Sequence, residues 1–301
     1  MAVITSGAHP KAVWPGVHAW FGNRYASHGD QTTKLFDSKT SNKKYEEIVE
    51  TTSFGVAPVK AEGSSVAYDS NVQGITSRGT NVAYALGYIV TKEEKEDNLY
   101  EEVSMARAES LAFSMATTRN IVGANVYNRA FTAAYAGGDG KELLATDHPS
   151  LAGNMSNELA TAADLSEASL EDLTIQIMDA KNSKGLQIAL QPKCLILPTA
   201  LVYEGQRILK SIGRSSSADN DLNALNSLNV LPEVFVNNYL TDSDAFFIRT
   251  NAPQGMCWFD RNAVEFSKDE DFDTDNAKAK AYMRFVPFWG DWRGLYGSPG
   301  V

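Results

Sequence analysis

No glycine or proline interrupts the stretch Tyr88–Val122, and from Lys92 onward good helix formers dominate it. No other feature constrains the fold as much, because it predicts a single helix over 92–122, about 46 Å long at the usual rise per residue. Thr91 is placed to cap that helix, and Glu93, Glu94 and Glu96 occupy its first turn, where the helix dipole favours anions. Leu99, Val103 and Ala106, then Leu111, Met115 and Val122, follow at helical spacing and predict a buried stripe. Gly123 is a candidate kink, and 125–135 a candidate continuation.

A rod of this length needs a partner surface, and the flanking text supplies β-prone pieces. Between Phe54 and Val90 short pieces are broken by glycine, with a turn at Glu62-Gly63-Ser64-Ser65. Val82, Tyr84, Leu86 and Tyr88 alternate with Ala83, Ala85 and Gly87, a period of two that predicts a strand. Residues 57–80 hold few large apolar side chains, so the hairpin predicted over 54–90 has little with which to build its own core. After a loop over 137–157, a compact block is predicted over 150–250. Ser169-x-x-Asp172 reads as a capping box, Leu170, Leu173 and Ile177 as an apolar face, and Gly185 as a C-cap. Cys194–Leu197 is an apolar strand, Pro198 opens a helix over Thr199–Ser211, and Val234–Val236 and Ala245–Arg249 are further strands. The remainder is β-rich: Met256–Phe259, Val264–Ser267 and Ala279–Trp289.

The opening segment is of a different kind. Residues 6–30 mix Gly7, Pro10, Pro15, Gly16, Gly22 and Gly29 with Trp14, Trp20, Phe21 and Tyr25. The mixture is too aromatic for a solvated linker and too broken for a helix or buried strand. The favoured expectation is an extended arm whose rings insert into another surface; an irregular segment lying across its own core is the alternative.

Charge and cysteine usage narrow the function. The 301 residues carry 27 Lys+Arg against 37 Asp+Glu, a formal charge of −10. A dedicated nucleic-acid binder needs clustered cations, and Lys43-Lys44 and the Lys278, Lys280 pair form no stripe. Cys194 and Cys257 stand alone, without metal-ligand spacing, and no apolar run is long enough to span a bilayer. The acidic run Asp269–Asp275 fails as a calcium loop in both registers: the turn position holds Asn276 or Thr274, and the last ligand position Tyr282 or Lys280. In Gly137-Gly138-Asp139-Gly140-Lys141, Glu142 stands where a phosphate loop needs Ser or Thr. His9, His18 and His28 lie in the arm and His148 in a loop, with no nucleophile elbow; Cys194 sits in an apolar strand that suppresses its thiolate. A hydrolase using Asp147 and His148 is the one catalytic reading these residues offer, and a structural turn histidine is the simpler one.

The order of the parts resembles a known family. Its carriers are Gln73-Gly74-Ile75-Thr76 with Arg78, Leu86–Thr91 leading into Asn98-Leu99-Tyr100, Asp147-His148-Pro149 and Pro192–Pro198. Further carriers are Ala218-Asp219-Asn220-Asp221, Tyr239–Asp242, Phe272–Asn276 and Asp291–Gly300. Over most of its length the chain resembles the major capsid proteins of tailed bacteriophages, in particular Mu-type major head subunits. The resemblance implies an α+β fold of the HK-ninety-seven type: an N-terminal arm (1–50), an extended β-hairpin loop (51–91), a peripheral domain with a spine helix (92–145 and 251–301) and an α/β axial domain (146–250).

The same resemblance implies a structural, non-enzymatic subunit. It would self-assemble into hexamers and pentamers of an icosahedral shell around double-stranded phage DNA, assembled in host cytoplasm and resident in the virion. An encapsulin-like nanocompartment shell is the alternative use of the fold. Trp14, Trp20, Phe21, Phe54, Lys60, Glu62, Asp69, Gln73 and Arg78 are then expected at subunit contacts. Leu99, Val103, Leu111 and Met115 are expected in the spine core, Asp219, Asn220 and Asp221 in an axial loop, and Arg284, Asp291, Trp292 and Arg293 on the closing strand. Some relatives begin with a helical scaffolding segment; the arm here starts close to Met1, so a separate scaffold protein is expected, with a portal and a decoration protein as further partners. Some relatives cross-link through Lys and Asn. Lys60 is the hairpin lysine available for that, but no sequence signal calls for it, and noncovalent packing is the expectation. No cofactor, metal or membrane is implied.

Overall fold

The longest helix, α4 (Tyr100–Asn128), runs 29 residues and passes unbroken through Gly123. A Cβ at Gly123 would lie 3.0 Å from Thr32 and 3.3 Å from Trp258, so the glycine serves close packing rather than a kink. The computed structural model describes residues 14–96, 100–213, 222–271 and 276–301. Ahead of α4 stands the short helix α3 (Lys92–Glu96). Thr91 Oγ1 accepts from Glu94 N–H at 3.4 Å, the expected cap, and Arg107 reaches back to both Glu94 oxygens at 2.6 and 3.1 Å. Leu111 and Met115 are buried with Ala108 and Ala112 on the expected stripe; Leu99 lies outside the described residues, and Val103 lies within α4.

Helix α4 covers a four-stranded sheet ordered β1 (Asp37–Thr40), β8 (Met256–Glu270), β9 (Ala277–Trp289), β4 (Val82–Val90). Strands β8 and β9 are antiparallel, with register shifts between Asp260 and Glu265. Alternation sorts their side chains: Met256, Trp258, Met283 and Phe285 join the core beneath α4, while Cys257, Phe259, Val286 and Phe288 form a small cluster on the other face. Trp258 stacks on Phe285 at 4.6 Å. The acidic run that fails as a calcium loop falls largely on residues 272–275, outside the described residues.

A second sheet, ordered β10 (Leu295–Ser298), β7 (Phe246–Thr250), β5 (Pro192–Pro198), β6 (Val234–Asn237), carries its own core. Leu195, Leu197, Phe246 and Ile248 face Leu170, Leu173 and Ile177 of α5 (Glu167–Met178), Leu209 of α6 (Val202–Lys210) and Leu225 of α7 (Ala224–Leu228). The capping box of α5 lies three residues earlier than expected, between Ser166 and Ser169, because Ser166 is the residue with extended backbone. Gly185 does not cap that helix; it takes φ +84° in a later turn closed by Gly185 N–H to Asn182 C=O at 2.9 Å.

The opening segment departs most from expectation. Residues Trp14–Ser27 form a helix, α1, followed by α2 (Thr32–Leu35) and then β1, which pairs in parallel with β8. Pro15 sits in the first turn, where its missing N–H costs nothing, and Gly22 points outward. Phe21 is 2 % exposed and stacks on Phe266 at 4.9 Å, so its ring fills this chain's own core. Arg119 of α4 holds Asp260 through both terminal nitrogens, at 2.7 and 2.9 Å, and Asp30 at 3.3 Å. Tyr127 Oη donates to Leu35 C=O at 2.6 Å. Over residues 14–40 the segment lies on its own body, as the alternative has it, but as two helices and a paired strand rather than an irregular chain.

Candidate functional site

A two-stranded ribbon stands apart from both sheets. It is formed by β2 (Tyr45–Thr51) and β3 (Gln73–Thr80), paired antiparallel from Tyr45↔Thr80 to Thr51↔Gln73. The hairpin is therefore displaced from 54–90: β4 belongs to the large sheet, where it pairs with β9 from Val82↔Phe285 to Val90↔Ala277. Tyr84 and Tyr88 pack on the main core, which is why the alternating run leaves the ribbon. One face of the ribbon base is seated on the body. Ile48 packs on the Cys257, Phe259, Val286, Phe288 cluster, and Ser77 Oγ donates to Gly290 C=O at 3.3 Å. A Cβ at Gly79 would fall 2.3 Å from the Phe288 ring, so only glycine permits this approach.

Beyond Thr52 and Val72, which close the ladder with bonds of 2.9 and 2.8 Å, the connection forms no regular strand. It turns at Ala61–Ser64 with Gly63 at φ +75°, as its sequence predicts. Its apolar side chains face outward: Phe54 is 58 % exposed, Tyr68 94 % and Val59 100 %, with Val56, Val66 and Val72 also exposed. Apolar side chains left bare together on one protrusion make it a candidate contact surface.

The structure places the other expected contact residues as follows. Lys60 and Glu62 are exposed on the tip, and Gln73 is exposed where the ribbon begins. Asp69 accepts from Gly55 N–H at 2.7 Å and from Lys184 at 2.8 Å. Arg78, exposed on the ribbon's outer face, pairs with Glu47 at 2.6 Å and lies over the Tyr45 ring at 4.5 Å. Trp20 is half-buried beneath Arg24, 4.5 Å away; Trp14 opens α1. Asp219, Asn220 and Asp221 lie outside the described residues. Around the second sheet's helices, Tyr203 of α6, Leu228 of α7, and Ile212 and Leu222 outside both helices expose a further apolar set. Sequence reasoning missed these four and Lys184; their local text has no period that separates an exposed contact from an ordinary surface.

The expected closing-strand residues are structural. Arg284 on β9 donates to Asn81 C=O at 3.3 Å. Asp291, Trp292 and Arg293 form a tight turn before β10, not a strand, and Trp292 and Arg293 are buried. Arg293 bonds Asp291 at 3.1 Å and Lys181 C=O at 2.9 Å, and lies 4.3 Å from the Trp292 ring centre. His148 stacks parallel to Trp292 at 4.4 Å and is 0 % exposed. Its Nδ1 meets Asp139 at 2.6 Å and its Nε2 meets Asn157 Oδ1 at 3.1 Å. Asn157 also donates to Leu143, Trp292 and Leu295 carbonyls, at 2.7, 3.1 and 2.9 Å. Both ring nitrogens of the buried His148 are engaged and Asp147 is paired with Lys141, so the Asp147–His148 hydrolase reading has no accessible imidazole. Cys194 and Cys257 are buried, and desolvation pushes the Cys194 thiol up to about 11, which removes it as a nucleophile at neutral pH. Among the described residues no cluster of His, Cys, Asp and Glu could hold a metal ion, and no helix is long and apolar enough to cross a membrane.

No family model matches the sequence, and no curated protein matches it either. Comparison of the fold with solved structures is informative. A virus-like particle protein from Pyrococcus furiosus superposes with TM-score 0.54 and 11 % identity, over 95 % of this chain and 98 % of that one. A native GTA particle capsid gives TM-score 0.56 at 11 % identity, over 89 % of each chain. The capsid of Myoviridae phage XM1 gives 0.54 at 9 % identity, over 91 % of this chain and 92 % of that one. A match of this extent at such low identity concerns backbone architecture, and on that ground the chain adopts the α+β shell fold of the HK-ninety-seven type.

Proposed function

We propose that this chain is a non-enzymatic capsid subunit that assembles into hexameric and pentameric rings of a closed shell. The observation that carries the proposal is the ribbon tip: Phe54, Val56, Val59, Val66 and Tyr68 project into solvent from a segment with no core of its own. A tip of one copy lying on the body of the next covers those side chains, and a repeated heterologous contact of that kind closes rings. In this reading α4 with the β1-β8-β9-β4 sheet forms the peripheral domain, so the expected 92–145 and 251–301 gains β1 and β4 and gives up β10, and 146–250 with β10 forms the axial domain, whose exposed Tyr203, Ile212, Leu222 and Leu228 meet their copies at ring centres. The tip of the 45–80 ribbon reaches a neighbouring copy.

The contents of the shell are double-stranded DNA, as in Mu-type tailed-phage heads, with scaffold, portal and decoration proteins as assembly partners in the host cytoplasm. A net charge of −10 suits a container that must not grip its genome. Similarity to a virus-like particle protein along nearly the whole chain favours a second reading, an encapsulin-like compartment with a protein cargo. Electron microscopy of the purified protein at high concentration, with and without moderate salt, tests assembly directly. Closed particles that form more readily as salt screens like-charged subunits are expected. A dispersed protein under all conditions overturns the proposal, and particles isolated from the native source holding cargo enzyme instead of DNA select the second reading.

A further inference from the structure

We infer that the turn 181–187 is a bracket that sets the angle at which the ribbon tip leaves the body. Two consecutive residues of this turn grip the two limbs of the ribbon. Ser183 Oγ donates to Glu50 on β2 at 2.8 Å. Lys184 Nζ donates to Asp69 at 2.8 Å and to Ser70 C=O at 3.0 Å, on the returning limb.

The turn itself is built to hold Lys184 in place. Asn182 Oδ1 accepts from the N–H groups of Lys184 and Leu186 at 3.0 and 2.9 Å, and Lys181 bridges to Gln187. Arg293, buried beneath, ties the turn to the body through Lys181 C=O at 2.9 Å. Asp69 in turn ties the limbs together, since the carboxylate oxygen that receives Lys184 also accepts from Gly55 N–H at 2.7 Å. Between residues 53 and 71 the Lys184 contacts are the polar tether to the body among the described residues. The ribbon base is fixed by apolar seating on Phe288 and its cluster, whereas the tip is a lever some twenty residues long hinged at Thr52 and Val72. Without the bracket, small rotations at the hinge swing the tip widely; with it, the apolar tip is presented in one direction.

The test uses spin or fluorescent labels on Glu62→Cys and Leu151→Cys, both exposed positions, in the full-length chain; Cys194 and Cys257 are buried. The unaltered bracket should give a narrow distance distribution, Lys184→Ala and Asp69→Asn broad ones, and Lys184→Arg a narrow one. Protease cleavage within 54–68 should rise about fivefold in Lys184→Ala, the scale of one well-placed exposed ion pair. Equal distributions across the four proteins, narrow or broad, overturn the inference. This readout is taken on dispersed protein and is independent of shell formation. A second arm rests on the capsid reading: Lys184→Ala should slow assembly and Lys184→Arg restore it, and unchanged assembly despite a broadened tip would show that the bracket does not serve ring closure.

Discussion

Two stretches of this chain carry large apolar side chains with opposite fates. Met256–Phe259 lies in β8 between β1 and β9, with α4 over one face and the ribbon base over the other, and every one of its side chains is buried. Phe54, Val56, Val59, Val66 and Tyr68 lie on the ribbon tip, and each is exposed. The tip's apolar residues are sparser, but spacing alone does not account for their exposure. What separates them is whether the chain brings two neighbouring strands and a covering helix to the same place, since one isolated ribbon offers only its own two strands. The contrast shows where this chain covers its own apolar surface and where it leaves that surface bare.

The contrast is open to experiment, most forcefully in the core. Trp258→Ala should cost about 3–5 kcal/mol of folding stability, read by thermal or denaturant unfolding, because a large ring stacked on Phe285 and packed at a tilt against Phe36 leaves a cavity. Next in size, Asn157→Ala should cost about 2–3 kcal/mol, since it leaves the buried Ala145 N–H without its acceptor and takes a donor from the Leu143, Trp292 and Leu295 carbonyls. At the tip the pattern should reverse. Val59→Asp with Tyr68→Asp should change unfolding stability by within about 0.5 kcal/mol yet abolish particles in electron micrographs. A large loss of stability would show that the tip belongs to the body after all.

The smallest effect is a pH response confined to the tip. The hydrogen bond from Lys184, with those from Gly55 and Ser70 N–H, holds the Asp69 carboxyl down from 3.8 to about 2. A value depressed by folding means the tether is intact above the free value and is lost as pH falls through about 2. The Glu62–Leu151 distance distribution should therefore stay narrow at pH 5 and broaden toward pH 2. A distribution unchanged across that range would remove Asp69 from the bracket.

Local features were readable in advance. The apolar face Leu170, Leu173, Ile177, strand β5 and the turn around Gly63 follow from spacing and residue type within a few positions, and the long helix does so in kind, although α4 runs from Tyr100 to Asn128 rather than over 92–122. Helix α1 was misread because Pro15 and Gly22 look like breakers unless one knows that the first falls in an opening turn and the second points to solvent. Of the candidate contact residues, the tip was legible as a hairpin without a core. Phe21 was not legible as core, because its partner Phe266 is 245 residues away and aromatic side chains serve cores and interfaces alike.

Amino-acid order, then, dictated those elements whose hydrogen bonds close among near neighbours, together with an acidic charge and the absence of any recognisable catalytic motif. Three-dimensional packing decided the rest. It sent β4 to β9 instead of β3, laid β1 parallel to β8 from the far end of the chain, buried Phe21 and left Val59 bare. Those outcomes depend on which surfaces meet after long loops close, and the free energy of such meetings resides in pairs of residues that no local window contains.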